Sequence, residues 1–434
     1  MTAVARVKLW GRTIGAITLA DGADHAEFAY DAEFVRSGIE VAPLMMPLST
    51  RVYSFPALSR ETFHGLPGLL ADSLPDKFGN ALIDAWLARQ GREPGSFHAI
   101  ERLCYTGARG MGALEFEPAQ GPKARRTARI QVDELVALAA EILAARTDFK
   151  VSFAGKVRDQ TLQALLQVGT SAGGARAKAV IAWNPATNEV RSGQIPAGPG
   201  FEYWLLKFDG VKGNRDQEIT DPLEYCVIEY AYTQMAIAAG IEMSVSRLFH
   251  EQDRRHYMTR RFDRHGDGKK IHMQSLCALA HLDFNLAGAH SYEQALLAMR
   301  KLGLPMSAIE QQYRRMVFNI VARNQDDHVK NISFLMDKAG HWSLAPAYDL
   351  TYSNDPANMW MARHQMTLNG KRDDFSLEDF KACANTASMK RGRGEKILME
   401  VISVAGDWKK FADAAGVSPI ARDGIQSALR LSGF

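Results

Sequence analysis

Two adjacent aspartates, a histidine, a lysine and an asparagine stand close together in NQDDHVKN, residues 324–331, between two segments whose patterns are apolar. A helical run precedes this stretch, and two strand-like segments, ISFLMD and WSLAPA, flank the turn KAGH after it. Strands joined by a short turn with glycine form a hairpin. A turn centred at Gly340 would bring Asn331 beside Asp349, with Asp326 one short loop away. Such oxygen donors suit Mg²⁺, which completes its coordination shell with substrate phosphates.

The spacing from Asp326 to Asn331 is that of the catalytic loop in protein-kinase-like phosphotransferases. In those enzymes the aspartate orients the attacking hydroxyl, and the asparagine and a later aspartate hold metal. Taken alone, the motif also fits a polar loop that caps a helix, with Asp349 as a turn residue. Asp327 is a rival for the base, and only the spacing to Asn331 favours Asp326.

A glycine-rich segment, GTSAGGARAK at 169–178, lies between two strand-like segments. Clustered glycines let backbone N–H groups converge on an anion, although a plain hairpin turn would have the same composition. Ala175 stands where a Walker A motif has its lysine, and the sequence has no GxGxxG, so P-loop and Rossmann sites are disfavoured.

Lys207 lies in the apolar strand YWLLKFDG, where kinases place the lysine that holds the α- and β-phosphates. Its partner would be Glu224 or Glu229, on a helix predicted over 221–240. A lone strand lysine can also be an edge residue that extends its ammonium into solvent. The order of glycine-rich loop, strand lysine, helix glutamate, D-x4-N, hairpin and aspartate favours the nucleotide site.

The elements that must position these residues change along the chain. Short strands are predicted over 3–55, helices over 66–90 and 132–144, and a linker over 117–130. Helical patterns dominate from about 272, apart from the hairpin. A chain of 434 residues exceeds what one core usually serves, so two lobes are expected.

Composition narrows the class of protein. Hydrophobic residues make up 46% and charged residues 23%, which is typical of a globular protein, and a net charge of +3 does not by itself indicate nucleic-acid binding. The four cysteines are far apart, which suits a reducing compartment. The N-terminal residues show neither a signal peptide nor a membrane span, so a cytoplasmic location without membrane contacts is expected.

Together these motifs resemble the HipA family, bacterial kinase toxins of toxin–antitoxin modules. The matching segments are GTSAGGARAK (169–178), LLKFDG (205–210), LEYCVIEYAYTQMAIAAGI (223–241), RRFDR (260–264), NQDDHVKNISF (324–334) and LAPAYDL (344–350). LWGRTIGAI and GLLADSLPDKFGNALI also resemble the family's N-terminal subdomain. The resemblance implies an α+β, two-lobed protein-kinase-like fold. It divides the chain into an N-terminal subdomain (1–120), a β-rich kinase N-lobe (130–264) and a mostly helical C-lobe (265–434).

The resemblance also implies a role for each matching residue. Asp326 would be the catalytic base, with Asn331 and Asp349 as Mg²⁺ ligands. Lys207 would hold the ATP phosphates, with Glu224 favoured over Glu229 as its partner. The other implied nucleotide and phosphate contacts are Gly173, Gly174, Lys178, Arg260, Phe262, His328 and Lys330. Ser171, or the neighbouring Thr170, would be the inhibitory autophosphorylation site, since phosphate there adds negative charge beside the triphosphate. Ala177, Arg260 and Asp327 depart from residues common in relatives.

The implied function is ATP- and Mg²⁺-dependent phosphorylation of serine or threonine in a protein such as an aminoacyl-tRNA synthetase, with growth arrest as the result. The implied partner is a small HipB-like helix-turn-helix antitoxin, through which DNA would mainly be bound. Two alternatives stay open: a small-molecule phosphotransferase of the same fold, and a non-catalytic regulator that binds antitoxin and DNA. The substrate, the oligomeric state and the presence of an antitoxin gene are not determined by the sequence.

Overall fold

The computed structural model describes residues 2–93, 95–121, 129–144, 177–211 and 224–434. The predictions for Thr170, Ser171, Gly173 and Gly174 lie outside these residues. The strands are β1 Ala3–Leu9, β2 Arg12–Leu19, β3 Glu27–Tyr30, β4 Val52–Tyr53, β5 Leu114–Glu117, β6 Lys178–Asn184, β7 Glu189–Ser192, β8 Glu202–Lys207, β9 Ser246–Glu251, β10 Arg254–Arg260, β11 His272–Ser275, β12 His290–Ser291, β13 Ser333–Met336, β14 Trp342–Leu344 and β15 Met366–Thr367.

The α-helices span Ala32–Val35, Arg60–Phe63, Gly68–Ala71, Lys77–Arg89, Ala99–Thr106, Val132–Ala144, Tyr225–Ala238, Leu276–Ala280, Tyr292–Lys301, Met306–Val321, Leu377–Thr386, Arg393–Gly406, Trp408–Ala415 and Pro419–Ala428, with a 3₁₀ turn at Val329–Asn331. Strands therefore concentrate in the first 260 residues and helices follow, which is the order expected of an α+β chain. In the part of the chain that the structure describes, no helix is both long and apolar enough to cross a bilayer.

The first sheet has the order β4-β3-β2-β1-β5, and its neighbours within the run β1 to β4 pair in antiparallel fashion. Alternate side chains such as Val7, Ile17 and Phe28 are fully buried, because one face of the sheet covers a core. Gly15 on β2 faces β3 so closely that a Cβ there would lie 2.3 Å from the carbonyl oxygen of Ala29. Only glycine fits this approach of two backbones.

The second sheet has the order β7-β6-β8-β10-β9, with antiparallel pairing between neighbours. Its apolar core includes Trp204 and Leu206 of β8 together with Phe78 and Leu82 of helix Lys77–Arg89. A helix from the N-terminal 120 residues therefore shares a core with the sheet that carries Lys207. The sequence boundaries at 120, 130 and 264 stay predictions.

The helical part is built around helix Met306–Val321, most of whose side chains are buried. Helix Tyr225–Ala238 joins the same core and also contacts β10 of the second sheet. Its Tyr232 ring packs edge-on against Trp408, with 5.0 Å between ring centroids. Helix Tyr225–Ala238 thus connects the second sheet to the helical part.

The predicted hairpin after Asn331 is confirmed, and β11 joins it to make the sheet β11-β13-β14. Its register differs from the prediction, because Leu335 pairs with Ser343 and the turn is centred at Ala339. The carboxylate of Asp337 accepts hydrogen bonds from the backbone N–H groups of Ala339 and His341, which closes a tighter turn. The expected direct opposition of Asn331 and Asp349 is therefore wrong.

The N-terminal unit, residues 2–121, also contacts the helical part. The Asp72 carboxylate accepts hydrogen bonds from the backbone N–H and the hydroxyl of Ser275, at 2.7 and 2.8 Å. The indole N–H of Trp342 donates to the carbonyl of Glu40 at 3.1 Å. These bonds fix the N-terminal unit against β11 and β14, next to the loop that holds Asp326.

Candidate active site

The loop NQDDHVKN follows helix Met306–Val321 and is held at its start by amide hydrogen bonds. Arg323 has a positive φ of 57°, which turns the chain sharply out of the helix. The side-chain amide of Asn324 then donates to Asn319 Oδ1 at 2.9 Å and to the carbonyl of Asp349 at 3.4 Å. The second of these bonds places the start of the loop beside the segment that carries Asp349.

The two adjacent aspartates have different environments. The Asp327 side chain is fully buried, and its carboxylate accepts from Tyr292 Oη at 2.5 Å, His364 Nδ1 at 2.7 Å and the N–H of Gln365 at 2.7 Å. Burial by itself raises the pKa of Asp327, but these donors lower it. The Asp326 side chain is 51% exposed, with Oδ1 3.8 Å from His328 Nε2. Asp326 can therefore meet a substrate hydroxyl, whereas Asp327 is committed to holding the loop.

Asn331 lies close to the segment that carries Asp349 despite the shifted hairpin. A cavity of about 20 Å³ is lined by residues including Asn331 and the two neighbours of Asp349, Tyr348 and Leu350. The Asn331 amide donates to the carbonyl of Asp326 at 3.0 Å, so its Oδ1 is directed elsewhere as a candidate metal donor. An amide oxygen and a carboxylate are the donor types that Mg²⁺ takes beside phosphate oxygens. This donor set fits the expected Mg²⁺.

Lys207 connects the second sheet, helix Tyr225–Ala238 and the Asp349 segment. Its ammonium lies 2.6 Å from Glu229 Oε1 and also contacts the carboxylate of Asp349. Burial lowers the pKa of Lys207, but the two carboxylates outweigh it and hold that pKa well above the ordinary value. Burial likewise raises the pKa of Asp349, whereas Lys207 and Lys178 bring it to about 2. Lys207 and Asp349 are thus both charged at neutral pH.

The preference for Glu224 as the partner of Lys207 is wrong, and the alternative Glu229 forms the ion pair. Glu224 precedes the first turn of helix Tyr225–Ala238 with a positive φ of 90°. Its carboxylate accepts from the backbone N–H of Ser418 at 3.1 Å. This bond directs the Glu224 carboxylate to Ser418, whereas Glu229 lies within the helix and meets Lys207.

His328 and Lys330 extend from the loop NQDDHVKN toward Phe284. The ring centroids of His328 and Phe284 are 5.5 Å apart, and the Lys330 ammonium lies 5.0 Å from the Phe284 centroid, within cation–π range. The Lys330 carbonyl accepts from Tyr348 Oη at 2.7 Å, which ties the loop to the residue before Asp349. Phe284 was not expected from the sequence, because one aromatic residue in a loop carries no distinctive pattern.

The two residues predicted at the nucleotide hinge, Phe262 and Arg260, have different surroundings. Phe262 is half-buried and packs on Tyr348, with 5.8 Å between ring centroids, so it reaches the Asp349 segment. Arg260 ends β10 with an exposed side chain, and its backbone N–H donates to Val245. The Arg260 carbonyl accepts from Ser244 Oγ at 2.6 Å, so the backbone at Arg260 is already engaged.

A buried ion cluster lies next to this hinge. The Asp263 carboxylate accepts from the guanidinium groups of Arg261 and Arg264 and from the N–H of Gly112, each with one bond of 2.7 Å. The Arg264 guanidinium also donates to the carbonyl of Gly110 at 2.9 Å. A buried carboxylate needs partners of opposite charge and hydrogen-bond donors to offset the loss of solvation. The hinge motif RRFDR therefore also anchors the N-terminal unit.

Lys178, at the start of β6, lies in the same sheet directly opposite Lys207. Its ammonium is 3.7 Å from Asp76 Oδ2 of the N-terminal unit. Asp76 was missed by sequence reasoning, although an aspartate before an apolar helical run, in SLPDKF, is a signal for a helix cap. No sequence pattern indicated that this cap would meet a lysine 102 residues later.

The fold defines a class of protein: an α+β, two-lobed, protein-kinase-like structure with a further unit of strands and helices at its N-terminus. The chain belongs to the HipA family. The model of the HipA-like C-terminal domain matches residues 170–408, and the model of the HipA N-terminal domain matches residues 5–117.

A solved structure shows the same architecture. HipA in the Shewanella oneidensis complex of HipA, HipB and operator DNA is similar over 98% of this chain and 96% of that chain, with 16% identity and a TM-score of 0.69. The Helicobacter pylori proinflammatory kinase CtkA is similar over 59% of this chain and 87% of that chain, with 13% identity and a TM-score of 0.39. No curated protein matches the sequence.

Proposed function

We propose that this chain is an ATP- and Mg²⁺-dependent serine/threonine protein kinase. The observation that carries the proposal is the buried Lys207, held between Glu229 and Asp349. A lysine fixed by a helix glutamate beside a metal-binding aspartate is the arrangement with which kinases hold the ATP phosphates. The half-exposed Asp326 supplies the base on the same loop as Asn331.

In the proposed reaction the acceptor hydroxyl attacks the γ-phosphorus of ATP, and a new O–P bond forms. The bond from the γ-phosphorus to the bridging oxygen of the β-phosphate breaks, and ADP leaves with those electrons. The hydroxyl proton passes to the Asp326 carboxylate. Mg²⁺ held by Asn331 and Asp349 would neutralise charge on the phosphates. Lys207 would bind the α- and β-phosphates, Lys330 the transferred phosphate and His328 the nucleotide.

The proposed biological role is that of a growth-inhibiting cytoplasmic toxin, with a translation protein such as an aminoacyl-tRNA synthetase as substrate. Family membership supports this role. The Shewanella neighbour is a HipA in complex with HipB and operator DNA, which supports a HipB-like antitoxin as partner. DNA would be bound mainly through that antitoxin, because the chain's own net charge is only +3.

Autophosphorylation at Ser171 is proposed as self-inhibition. Phosphate adds about −2 charge and would repel the triphosphate from an adjacent site. Phosphopeptide mapping after incubation with ATP is expected to find the label on Ser171. Loss of the label in S171A, with T170A unchanged, would distinguish this residue from its neighbour.

The test of the proposed function is transfer from γ-³²P-labelled ATP by the purified chain with Mg²⁺. The wild type is expected to label itself and a protein acceptor, and D326N is expected to lose this transfer. D253N is the matched control, because Asp253 is an exposed carboxylate in the turn between β9 and β10. Undiminished transfer by D326N would overturn the assignment of the base, and label on a metabolite alone would favour a small-molecule phosphotransferase.

A separate experiment tests the partner. Co-expression with the product of a neighbouring short helix-turn-helix reading frame is expected to relieve growth arrest and to yield a complex. A gel-shift assay should then show DNA binding by the complex and little by the isolated chain. Tight DNA binding by the isolated chain, without binding of Mg·ATP, would favour a non-catalytic regulator.

A further inference from the structure

Asp76 brings a buried carboxylate from the N-terminal unit to the sheet that carries Lys207. It caps helix Lys77–Arg89, since its Oδ1 accepts from the N–H of Gly79 at 2.6 Å. Its other oxygen, Oδ2, lies 3.7 Å from Lys178 Nζ. The exposed fractions of the two side chains are only 5% and 6%. A charge pair this deep is weakly screened by solvent, so its geometry matters.

Lys178 and Lys207 are register partners on β6 and β8. Directly opposite residues of an antiparallel pair project on the same face of the sheet. Two like charges in this arrangement repel each other, and the pair persists because carboxylates surround it. Glu229 and Asp349 contact Lys207, and Asp76 lies at Lys178.

The electrostatics of the pair depend on both members. Burial raises the pKa of Asp76, and Lys178 opposes that increase. Burial lowers the pKa of Lys178, and Asp76 and Asp349 oppose that decrease. The net result is a raised pKa for Asp76 and a lowered pKa for Lys178, so the carboxylates of Asp76 and Asp349 offset only part of the effect of burial on Lys178.

The position of Asp76 is rigid. The helix that it caps buries Phe78, Leu82 and Leu87 in the core beneath the second sheet. Its own Oδ1 is fixed by the cap, so only Oδ2 faces Lys178. The N-terminal unit therefore presents this carboxylate in one orientation.

We propose that Asp76 is a positioning residue of the phosphotransfer site, which holds Lys178 beside Lys207 so that two lysines face the triphosphate. The N-terminal unit is then part of the nucleotide site rather than a separate attachment. This inference rests on the proposed kinase function and extends it to a residue outside the kinase-like lobes.

The test uses the full-length chain and a double-mutant cycle on the Michaelis constant for ATP. D76N removes the charge but keeps the helix cap, because asparagine caps as well as aspartate. D76N and K178M are each expected to raise the KM for ATP about tenfold. An effect of this size is within the range that double-mutant cycles measure for two residues in contact. The double variant should be no worse than K178M, and D76E should restore part of the loss.

D31N is the matched control. Asp31 caps helix Ala32–Val35 of the same unit through Glu33 and Phe34, so D31N also changes one N-cap carboxylate to an amide. Its KM for ATP should equal that of the wild type. A purely structural role of Asp76 would lower the melting temperature of D76N and leave KM unchanged.

The outcomes separate the two proposals. If the wild type transfers phosphate and D76N has the wild-type KM, the inference about Asp76 is overturned while the proposed function stands. Full additivity of D76N and K178M overturns it as well. If the wild type transfers no phosphate, the proposed function fails first. Titration with Mg²⁺ and a non-hydrolysable ATP analogue then still compares nucleotide binding by wild type and D76N, and equal affinities overturn the role of Asp76.

Discussion

Asp326 and Asp327 are neighbours in the chain whose carboxylates point into opposite environments. The Asp327 side chain is 0% exposed and has hydrogen-bond donors at both oxygens, whereas the Asp326 side chain is 51% exposed beside His328. The buried member fixes the backbone, and its neighbour is thereby directed toward solvent. One pair of identical residues thus divides into a structural and a candidate catalytic role.

D327N should lower the free energy of unfolding by about 3 kcal/mol, because the change removes a buried charge that His364 and Tyr292 contact. D326N should change it by less than about 0.5 kcal/mol, as expected of an exposed side chain. Urea denaturation followed by circular dichroism measures both. Equal stability of D327N and the wild type would contradict the structural role of Asp327.

E229Q should reduce kcat/KM for ATP by about a hundredfold. Without the Glu229 carboxylate, the Lys207 ammonium would no longer be held in the orientation that binds the phosphates. The matched change E224Q should have little effect on kcat/KM, because Glu224 contacts Ser418 rather than Lys207. Steady-state phosphotransfer at varied ATP concentration decides between them. A larger loss for E224Q than for E229Q would restore the original preference for Glu224.

R430Q should destabilise the chain by about 2 kcal/mol, because the guanidinium contacts the Ile320 carbonyl, His364 and Asp373 together. His364 also donates to Asp327, so R430Q should lower phosphotransfer as well. R391Q, at an exposed arginine, is the control for loss of positive charge. Melting temperatures and transfer from labelled ATP test both effects. Equal melting temperatures of R430Q and the wild type would argue against a stabilising role of Arg430.

Stability should fall as the pH falls below about 6.5. Burial lowers the pKa of His272 to about 3, so the folded chain keeps this ring neutral while the unfolded chain takes up a proton near 6.5. The stability that depends on the neutral His272 ring is fully present above pH 6.5. As the pH falls toward 3, the free energy of unfolding decreases by at most about 1.4 kcal/mol per pH unit. Burial also lowers the pKa values of His256 and His281 to about 4, which adds to the same trend.

The variant H272Q removes one titrating ring from this trend. Its free energy of unfolding should depend less steeply on pH between 6 and 5 than that of the wild type. Urea denaturation at pH 7, 6 and 5 measures the slope. An identical slope in both chains would show that His272 titrates alike in the folded and unfolded states.

The sequence predicts the elements better than it predicts the contacts between them. The hairpin after Asn331 follows from two apolar segments and a glycine turn, which are local features. Its register does not follow, because the carboxylate of Asp337 closes the turn one residue earlier than Gly340 indicates. The choice of Glu224 failed because the helix begins only at Tyr225. Glu224 lies before it and contacts Ser418, and Glu229 within the helix meets Lys207.

The sequence by itself determined the family resemblance, the α+β order of elements, and the set of lysine, asparagine and aspartates at the site. These depend on residue type and local spacing, which a chain carries before it folds. Only the tertiary structure decided which aspartate is buried, which glutamate meets Lys207, and that Asp76 reaches Lys178. Each of these contacts joins residues far apart in the chain, and their side-chain directions are set by how helices and sheets pack against one another.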